Sequence, residues 1–198
     1  MQLIFATNNS NKLREAQQIL PNYQILSLEN AGIHDELPET HNTIRENSIE
    51  KAEYLYNKYH INCFSDDTGL EVEALNGAPG VYSARFAGPQ KNNDDNINLL
   101  LEKLQGVENR KARFVTYITL IIDGKQYIFE GEMRGSIMTH RTGNGGFGYD
   151  PVFLPEGYNQ SVAELTPEAK NQISHRGRSL QKMAEFLRNA DGSSAINK

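Results

Sequence analysis

Residues 2–20, QLIFATNNSNKLREAQQIL, place a short apolar strand, a polar loop and an amphipathic helix in direct succession. The hydrophobic pattern predicts the strand over residues 2–6, the loop over residues 7–12 and the helix after it. Pro21 ends the helix because proline lacks the amide proton that the next helical hydrogen bond needs. A strand that runs directly into a helix favours an α/β fold.

Strands and helices continue to alternate further along the chain. Residues 23–28 are predicted as a second strand and residues 61–65 as a third. Between them, Thr43 and Glu46 have the spacing of a capping box, which predicts a helix from Thr43 to about Tyr59. The front of the chain therefore resembles a strand–helix–strand unit.

The middle of the chain carries the clearest hairpin pattern. Two apolar runs, residues 114–122 and 126–129, flank Asp123 and Gly124. Asp-Gly tolerates the positive φ angles of a two-residue turn. A hairpin added to an alternating front half predicts an α/β fold with a mixed sheet. A further helix is predicted over residues 96–104, Thr166-Pro167 is a predicted helix start, and Leu180, Met183, Ala184 and Leu187 mark a closing amphipathic helix.

Composition limits the size and the partners of the protein. The chain has 198 residues, of which 38% are hydrophobic and 23% are charged, and it carries a formal net charge of −5. We expect a single domain over residues 1–190 and a flexible tail over residues 191–198. The negative charge argues against nucleic-acid binding, and no apolar run is long enough for a membrane span. With one cysteine, Cys63, and no secretory signal, a cytoplasmic location is expected.

The polar loop at residues 7–12 is the first candidate site. A loop between a strand and a helix presents backbone amides and the positive end of the helix dipole, which together bind anions. Lys12 adds a mobile positive charge. The alternative is structural: Asn9 or Ser10 caps the helix and Lys12 is solvated.

Asp66 and Asp67 form the second candidate. Two adjacent carboxylates after an apolar strand are costly near a core unless they are paired or bind a metal. Successive side chains of an extended segment point to opposite faces, so one aspartate is expected at the site and the other in a supporting role. The alternative is a turn in which both side chains bond to nearby amides.

Two later clusters complete the candidates. Residues 145–151, GGFGYDP, combine glycines that permit close approach with aromatic faces that can stack on a base. Alternatively, Phe147 and Tyr149 fill the core. Lys170 and the run 174–177, SHRG, supply donors for an anionic or keto-bearing ligand; alternatively, His175 is a surface residue. Glu39, Glu46 and Lys51 form a weaker set, in which capping largely explains Glu46.

Taken in order, these motifs resemble the Ham1/inosine triphosphate pyrophosphatase family over residues 3–187. The resemblance rests on several short runs: ATNNSNK (6–12), EN (46–47), KA (51–52), SDDTGL (65–70), GAPGVYSAR (77–85), GGFGYDPVF (145–153), AELT (163–166) and SHRG (174–177). It implies an elongated two-lobed α/β fold with a central mixed β-sheet flanked by helices and an active-site cleft between the lobes. It also implies a homodimer.

The resemblance implies roles for individual residues. Asp67 is the expected catalytic residue and, with Glu39, a ligand of Mg²⁺. The expected substrate-binding residues are Thr7, Asn8, Asn9, Ser10, Asn11, Lys12, Lys51, Thr68, Phe147, Gly148, Tyr149, Asp150, Lys170, His175 and Arg176. Among them, residues 7–12 and the lysines are expected on the triphosphate, residues 147–150 on the purine, and His175 with Arg176 on its 6-keto edge.

The implied reaction is the magnesium-dependent hydrolysis of ITP, dITP and XTP to the monophosphate and pyrophosphate. This activity removes deaminated purines from the nucleotide pool. Two alternatives remain open: a Maf-type pyrophosphatase that acts on pyrimidine or modified nucleotides, and a non-catalytic nucleotide-binding module. The residues at 147–150 and 175–176 argue against the Maf type.

Overall fold

The computed structural model of the protein describes the backbone of residues 1–195 and the side chains of residues 1–190. This part of the chain forms seven strands and five helices. In chain order they are β1 (Gln2–Phe5), α1 (Ser10–Ile19), β2 (Gln24–Leu26), α2 (Ile44–Tyr59), β3 (Cys63–Val72), β4 (Pro79–Gly80), α3 (Asn93–Lys103), β5 (Lys111–Ile122), β6 (Lys125–Ile137), β7 (Phe153–Pro155), α4 (Pro167–Ile173) and α5 (His175–Ala195).

One sheet contains all seven strands, in the order β2-β1-β3-β5-β6-β7, with β4 paired to β3. β1 runs parallel to both β2 and β3. β4 is antiparallel to β3, and β7 is antiparallel to β6. The predicted α/β fold with a mixed sheet and flanking helices is thus confirmed. The predicted cleft between lobes stays a prediction.

By its internal contacts the chain divides into two compact units. Unit 1 contains Met1–Asp67, Thr116–Gly131 and the chain from Arg176 onward, and unit 2 contains Thr68–Val115 and Glu132–His175. Strands β3, β5 and β6 contribute residues to both units. The prediction of one domain over residues 1–190 stays open.

In unit 1 the sheet is covered on both faces. Leu3 and Phe5 of β1 pack into one cluster with Ala16 and Leu20 at the end of α1 and with α5. Ile4 and Ala6 alternate with them and pack into a second cluster with Ala52 and Leu55 of α2. Because both faces of the sheet are buried here, the buried side chains of β1 that point to either face are apolar. A strand with one face in solvent would instead alternate apolar and polar residues.

Unit 2 has one apolar cluster of its own. It joins Leu70 and Val72 of β3 to Ile97 and Leu100 of α3, with further residues from β5, β6 and β7. Asn92 caps α3 by accepting a hydrogen bond from the amide of Asp95. This helix therefore begins three residues earlier than the sequence pattern predicts.

The predicted hairpin is confirmed, and its strands are longer than predicted. Asp123 and Gly124 connect β5 to β6 with φ angles of 48° and 76°. Two positive φ angles in succession are the requirement of a type I′ turn, which matches the twist of the flanking strands. β6 continues beyond Phe129 because its far end pairs with β7.

Several predicted boundaries are wrong. α1 begins at Ser10, inside the stretch predicted as loop, because Asn9 caps it by accepting from the amides of Asn11 and Lys12. β3 runs through Asp66, Asp67 and Thr68, where the sequence pattern allowed a turn. At the other end, α5 extends to Ala195, beyond the start of the tail predicted over residues 191–198. Residues 196–198 lie outside the described residues.

Two other features agree with the sequence. Thr43 caps α2 by accepting from the amide of Glu46, although the Glu46 carboxylate bonds to the Thr43 hydroxyl rather than to its amide. Cys63 is fully buried, and burial raises the pKa of its thiol to about 12, as expected for a structural cysteine. Over residues 1–195, none of the helices combines the length and apolar character that crossing a bilayer requires.

Candidate active site

The loop before α1 is held by its own side chains. The Asn9 Oδ1 atom accepts from the amides of Asn11 and Lys12 at 3.0 and 3.2 Å. The Thr7 hydroxyl accepts from the amide of Asn9, and the Asn8 side chain accepts from the amide of Glu29. The capping alternative is therefore correct for Asn9. A phosphate at this helix terminus would compete with Asn9 for the same amides, while residues 8–11 remain exposed to solvent.

Lys12 is ion-paired and only partly exposed, whereas the structural alternative for this loop has it fully solvated. Its Nζ atom lies 2.7 Å from Asp66 Oδ1, and the Asp66 side chain is 1% exposed. The other Asp66 oxygen lies 3.0 Å from Nε of Arg176, whose Nη1 atom lies 3.0 Å from Glu15 Oε2. Two cations and two carboxylates thus form a continuous, largely buried network in unit 1, in which Asp66 and Arg176 are buried and Lys12 and Glu15 are partly exposed. Arg176 and Asp66 are 110 positions apart in the chain, so no local motif could indicate it.

The network fixes the ionisation of Asp66. Burial raises the pKa of this carboxyl, but the charges of Lys12, Arg176 and Lys51 outweigh burial and hold the pKa well below its usual range. Burial lowers the pKa of Lys12, and Asp66 only partly offsets that effect. Asp66 is therefore a permanent anion at neutral pH whose partners are internal cations. This agrees with the supporting role expected for one of the two aspartates.

The lowered pKa of Asp66 predicts a dependence of stability on pH. Asp66 binds a proton near pH 3.9 in the unfolded chain and at lower pH in the folded one, so its contribution to stability is lost as the pH falls below about 4. We expect the urea midpoint to fall less steeply between pH 5 and pH 3 in Asp66→Asn than in the wild type. Equal slopes in the two proteins would contradict the assignment.

Asp67 contacts Lys51, whereas Asp66 contacts Lys12 and Arg176. The Lys51 Nζ atom lies 3.3 Å from Asp67 Oδ1 and 2.7 Å from Glu39 Oε1. Lys51 is 7% exposed, on the buried face of α2, whereas Glu39 precedes that helix. One ammonium group therefore joins the two carboxylates that the resemblance assigns to the metal. Asp66 and Asp67 serve different groups, as the alternation of an extended segment predicts.

Burial and neighbouring charges act together on the carboxyl group of Asp67. Burial raises its pKa, the neighbouring charges of Glu39 and Asp66 raise it further, and Lys51 only partly opposes them. For Lys51 the balance is reversed: burial lowers its pKa, but the three carboxylates more than compensate. A carboxyl group with a raised pKa is a better proton acceptor than an ordinary aspartate.

The donor set fits a magnesium ion. Mg²⁺ prefers oxygen ligands and is usually held by one or two carboxylates together with water and substrate phosphates. Glu39 and Asp67 supply two carboxylates whose mutual repulsion a divalent cation would relieve. Among the described residues, no group of three or more His, Cys, Asp or Glu side chains is arranged to hold a metal alone. The ion would therefore complete its coordination with water and, when substrate is bound, with phosphate oxygens.

In unit 2, the glycine-rich loop is organised around Asp150. This carboxylate is 6% exposed, accepts from the amide of Phe147 at 2.8 Å, and lies 2.6 Å from Nζ of Lys170. Gly146 has a φ of +73°, and a Cβ atom there would collide with Asp150 Oδ2. A side chain at position 146 would thus displace the acceptor that shapes the loop.

The two aromatic residues of this loop have different environments. Phe147 is 51% exposed, and the Lys170 ammonium lies 4.6 Å from the centre of its ring. Tyr149 is buried, and its hydroxyl donates to the carbonyl of Ser83 at 2.8 Å. The core-filling alternative is therefore correct for Tyr149 and wrong for Phe147. Phe147 presents a face to solvent on which a planar group can stack.

The remaining predicted residues also lie in unit 2. The ring of His175 stacks on Phe114 at a centroid distance of 5.0 Å and an interplanar angle of 22°. Thr68 is half-buried and follows Asp67 in β3, and Gly148 has a φ of +60°. Lys170 contacts the glycine-rich loop. Arg176, which the prediction placed in the same cluster as Lys170, belongs instead to the buried network of unit 1. The roles assigned to these residues stay predictions.

Sequence reasoning missed three contributors to these clusters. Glu15 completes the charge balance of the buried network, and Glu50 and Thr40 contact each other next to Lys51 and Glu39. Glu15 lies on α1 three residues after Lys12, which is the spacing of neighbours on one helical face. That spacing was the one available signal.

The fold and these clusters define a class of α/β protein in which buried lysines and an acidic pair are suited to a phosphorylated ligand and a divalent cation. The chain belongs to the Ham1 family, whose family model matches residues 3–186.

Individual relatives are similar over almost the whole chain. The dITP/XTP pyrophosphatase of Flavobacterium johnsoniae is 53% identical over 94% of this chain and 98% of that protein. The dITP/XTP pyrophosphatase of Flavobacterium psychrophilum is 51% identical over 96% of this chain and 100% of that protein. The structure of the Staphylococcus aureus Ham1 protein superposes with a TM-score of 0.91 at 36% identity, covering 96% of this chain and 100% of that one.

Proposed function

We propose that this protein hydrolyses the non-standard purine nucleoside triphosphates dITP, ITP and XTP to the monophosphate and pyrophosphate. The similar proteins of two Flavobacterium species are named dITP/XTP pyrophosphatase and match nearly the full chain. The structural observation that carries the proposal is the grouping of Asp67, Glu39 and Lys51 in unit 1. The match to the Ham1 family does not favour the Maf-type alternative.

In the proposed reaction, water attacks the triphosphate, the anhydride bond between the α- and β-phosphates breaks, and pyrophosphate leaves. Asp67 is the proposed general base that accepts a proton from that water. The Asp67 Oδ1 atom contacts the Lys51 ammonium group, so Oδ2 is the proposed proton acceptor. Mg²⁺ held by Glu39 and Asp67 supplies charge neutralisation at the phosphates when bound.

Lysine side chains provide the remaining positive charge. Lys51 has a raised pKa and stays protonated, so it is the proposed partner of the phosphate oxygens nearest the acidic pair. Lys12 and the amides at the start of α1 are proposed to bind the rest of the triphosphate. Asp66 forms an ion pair with Lys12, which limits the positions that the ammonium group can reach.

The purine is assigned to the glycine-rich loop of unit 2. Phe147 offers an exposed ring, and Asp150 holds both the Phe147 amide and Lys170 in place. Donors from this unit, with His175 as the leading candidate, are proposed to face the 6-keto oxygen of hypoxanthine or xanthine. The adenine amino group would leave such donors unpaired, and that penalty discriminates strongly against adenine but not against guanine, which also carries a 6-keto oxygen.

Replacing Phe147 by alanine is expected to raise the KM for ITP about 10-fold with little change in kcat, because base stacking on an aromatic ring contributes roughly 1–3 kcal/mol. Initial-rate kinetics over a range of ITP concentrations measure the effect. Tyr158→Ala is the matched control, since Tyr158 is also an exposed aromatic residue of unit 2, at 40%. Equal KM values for the two variants would argue against a base at Phe147.

The wider biological setting is also proposed. The activity would remove deaminated purines from the nucleotide pool before they enter nucleic acid. The resemblance further implies a homodimer, and the single cysteine and the lack of a secretory signal in the sequence favour a cytoplasmic location. Analytical ultracentrifugation and fractionation of cells that express the tagged protein would measure these two properties.

A substrate panel tests the proposal. Rates with ITP, dITP, XTP, ATP, UTP and dTTP are compared, each with MgCl₂ and with EDTA. Turnover of the first three in the presence of Mg²⁺, at kcat/KM values at least about 100-fold above that of ATP, is the expected result. Equal use of ATP would contradict the purine assignment, and a preference for UTP or dTTP would support the Maf type. Binding of ITP without turnover would indicate a binding module.

A further inference from the structure

Glu39 lies in a part of unit 1 without regular secondary structure. Residues 33–40 belong to no helix or strand of the structure. A backbone outside a helix or strand has no ladder of hydrogen bonds to fix its position. The place of the Glu39 carboxylate must therefore be set by contacts to other elements.

Three consecutive residues provide such contacts, and all three bind to α2. Besides the contact of Glu39 with Lys51, the amide of His41 donates to Asn47 Oδ1 at 2.9 Å. Between them, Thr40 donates from its amide to Glu50 Oε2 at 2.8 Å and from its hydroxyl to Glu50 Oε1 at 2.7 Å.

The contact between Thr40 and Glu50 is the most constraining of the three. Two hydrogen bonds from one residue reach both oxygens of one carboxylate, which fixes the orientation as well as the distance of Thr40. Burial raises the pKa of Glu50, but the two bonds from Thr40 outweigh it, so the carboxylate is charged at neutral pH. Because both oxygens already accept hydrogen bonds, Glu50 is suited to hold the chain.

The helix offers a rigid support for these contacts. Asn47 and Lys51 are buried, at 3% and 7% exposure, and Thr43 caps the first turn of α2. The segment is also anchored upstream, where Asp35 accepts from the hydroxyl of Tyr59 at 2.6 Å and lies 2.7 Å from Nζ of Lys58. Residues 39–41 thus lie between two points at which the chain is fixed to α2, namely the contacts of Asp35 and the capped first turn at Thr43.

We infer that Glu50, through its paired hydrogen bonds to Thr40, is a positioning residue that holds Glu39 where it can bind the metal ion. The inference rests on the proposed metal role of Glu39. Thr40 adjoins Glu39 in the chain, so a rotation of its backbone moves the Glu39 carboxylate directly. Residues that orient metal ligands typically change metal affinity or activity 10- to 100-fold when they are replaced.

Binding of Mn²⁺, used as a probe for Mg²⁺, tests the inference without relying on turnover. The electron paramagnetic resonance signal of free Mn²⁺ is measured during titration of the nucleotide-free protein. We expect Glu50→Ala to raise the Kd for Mn²⁺ about 10-fold. Thr40→Val removes one of the two bonds with little change in shape, and we expect it to raise the Kd about fivefold.

Glu53→Ala is the matched control. Glu53 is an exposed residue of the same helix, three positions from Glu50, and its replacement removes the same charge. We expect it to leave the Kd for Mn²⁺ within about twofold of the wild-type value. A general effect of net charge on cation binding would change Glu53→Ala and Glu50→Ala equally, and that result would overturn the inference.

Two further measurements separate positioning from loss of structure. Thermal unfolding is compared for all variants, and the half-saturating Mg²⁺ concentration for ITP hydrolysis is compared with the KM for ITP. A positioning role predicts that the Mg²⁺ requirement rises while the KM at saturating Mg²⁺ changes little. If Glu50→Ala fails to fold, a wild-type Kd in the folded Thr40→Val protein is sufficient to overturn the inference.

Failure of the proposed function gives a different result. The hydrolysis of ITP by the wild type is measured separately, so an incorrect reaction is detected in that assay alone. A wild type that does not bind Mn²⁺, or a Glu39→Gln variant that binds it normally, would overturn both the metal role of Glu39 and this inference. Loss of Mn²⁺ binding in Glu39→Gln but not in Glu50→Ala would overturn the inference only.

Discussion

Replacing Asp67 by asparagine is expected to lower kcat for ITP by about 1,000-fold, near the middle of the range for removal of a general base. The amide keeps the shape of the side chain but cannot accept a proton at neutral pH. It also removes one of the two carboxylates proposed for Mg²⁺. The substitution is expected to affect the fold little, because the single described partner of Asp67, Lys51, also contacts Glu39.

The same substitution at Asp123 is a suitable control for this result. Asp123 occupies the hairpin turn of unit 1 with a φ of 48°, an angle that asparagine tolerates well. We expect Asp123→Asn to retain wild-type kcat and KM. An Asp67→Asn protein that keeps more than about a tenth of the wild-type kcat would contradict the assignment of Asp67 as the proton acceptor.

Replacing Arg176 by methionine is expected to destabilise the protein by about 3–5 kcal/mol, because Asp66 would remain ionised and buried with Lys12 as its main partner. Arg176→Lys keeps the charge but cannot reach two carboxylates with one planar group, so we expect an intermediate loss. Equilibrium unfolding in urea, followed by circular dichroism, measures both effects.

Arg188→Met provides the comparison on the same helix. Arg188 is exposed, and its replacement is expected to change the unfolding free energy by less than about 0.5 kcal/mol. The sequence resemblance assigns Arg176 to the 6-keto edge of the base instead. A stable Arg176→Met protein with a raised KM for ITP would favour that assignment and contradict the structural one.

Local patterns predicted the parts of the fold that depend on local chemistry. Asp123 and Gly124 specify a turn on their own, and Thr43 specifies the start of α2, so both were predicted correctly. β3 was predicted too short because Asp66 and Asp67 are unfavourable in a buried strand when considered alone. Lys12 and Arg176 make the strand possible, and neither is near Asp66 in the chain.

The candidate site divides in the same way. The alternation of Asp66 and Asp67 follows from strand geometry and was predicted from the residues. The metal and substrate roles came from the resemblance, because no local pattern distinguishes a catalytic aspartate from a structural one. Glu50 and Thr40 carry no motif, and their pairing depends on how residues 33–40 fold back onto α2. Such contacts become visible only in the folded chain.

Identification of the products by ³¹P nuclear magnetic resonance tests the central claim most directly. Wild-type protein is incubated with ITP and MgCl₂, and spectra are recorded through the first turnovers. The account predicts that inosine monophosphate and pyrophosphate form at equal rates, without inosine diphosphate. Formation of inosine diphosphate and orthophosphate would contradict it, because the bond cleaved would then lie between the β- and γ-phosphates.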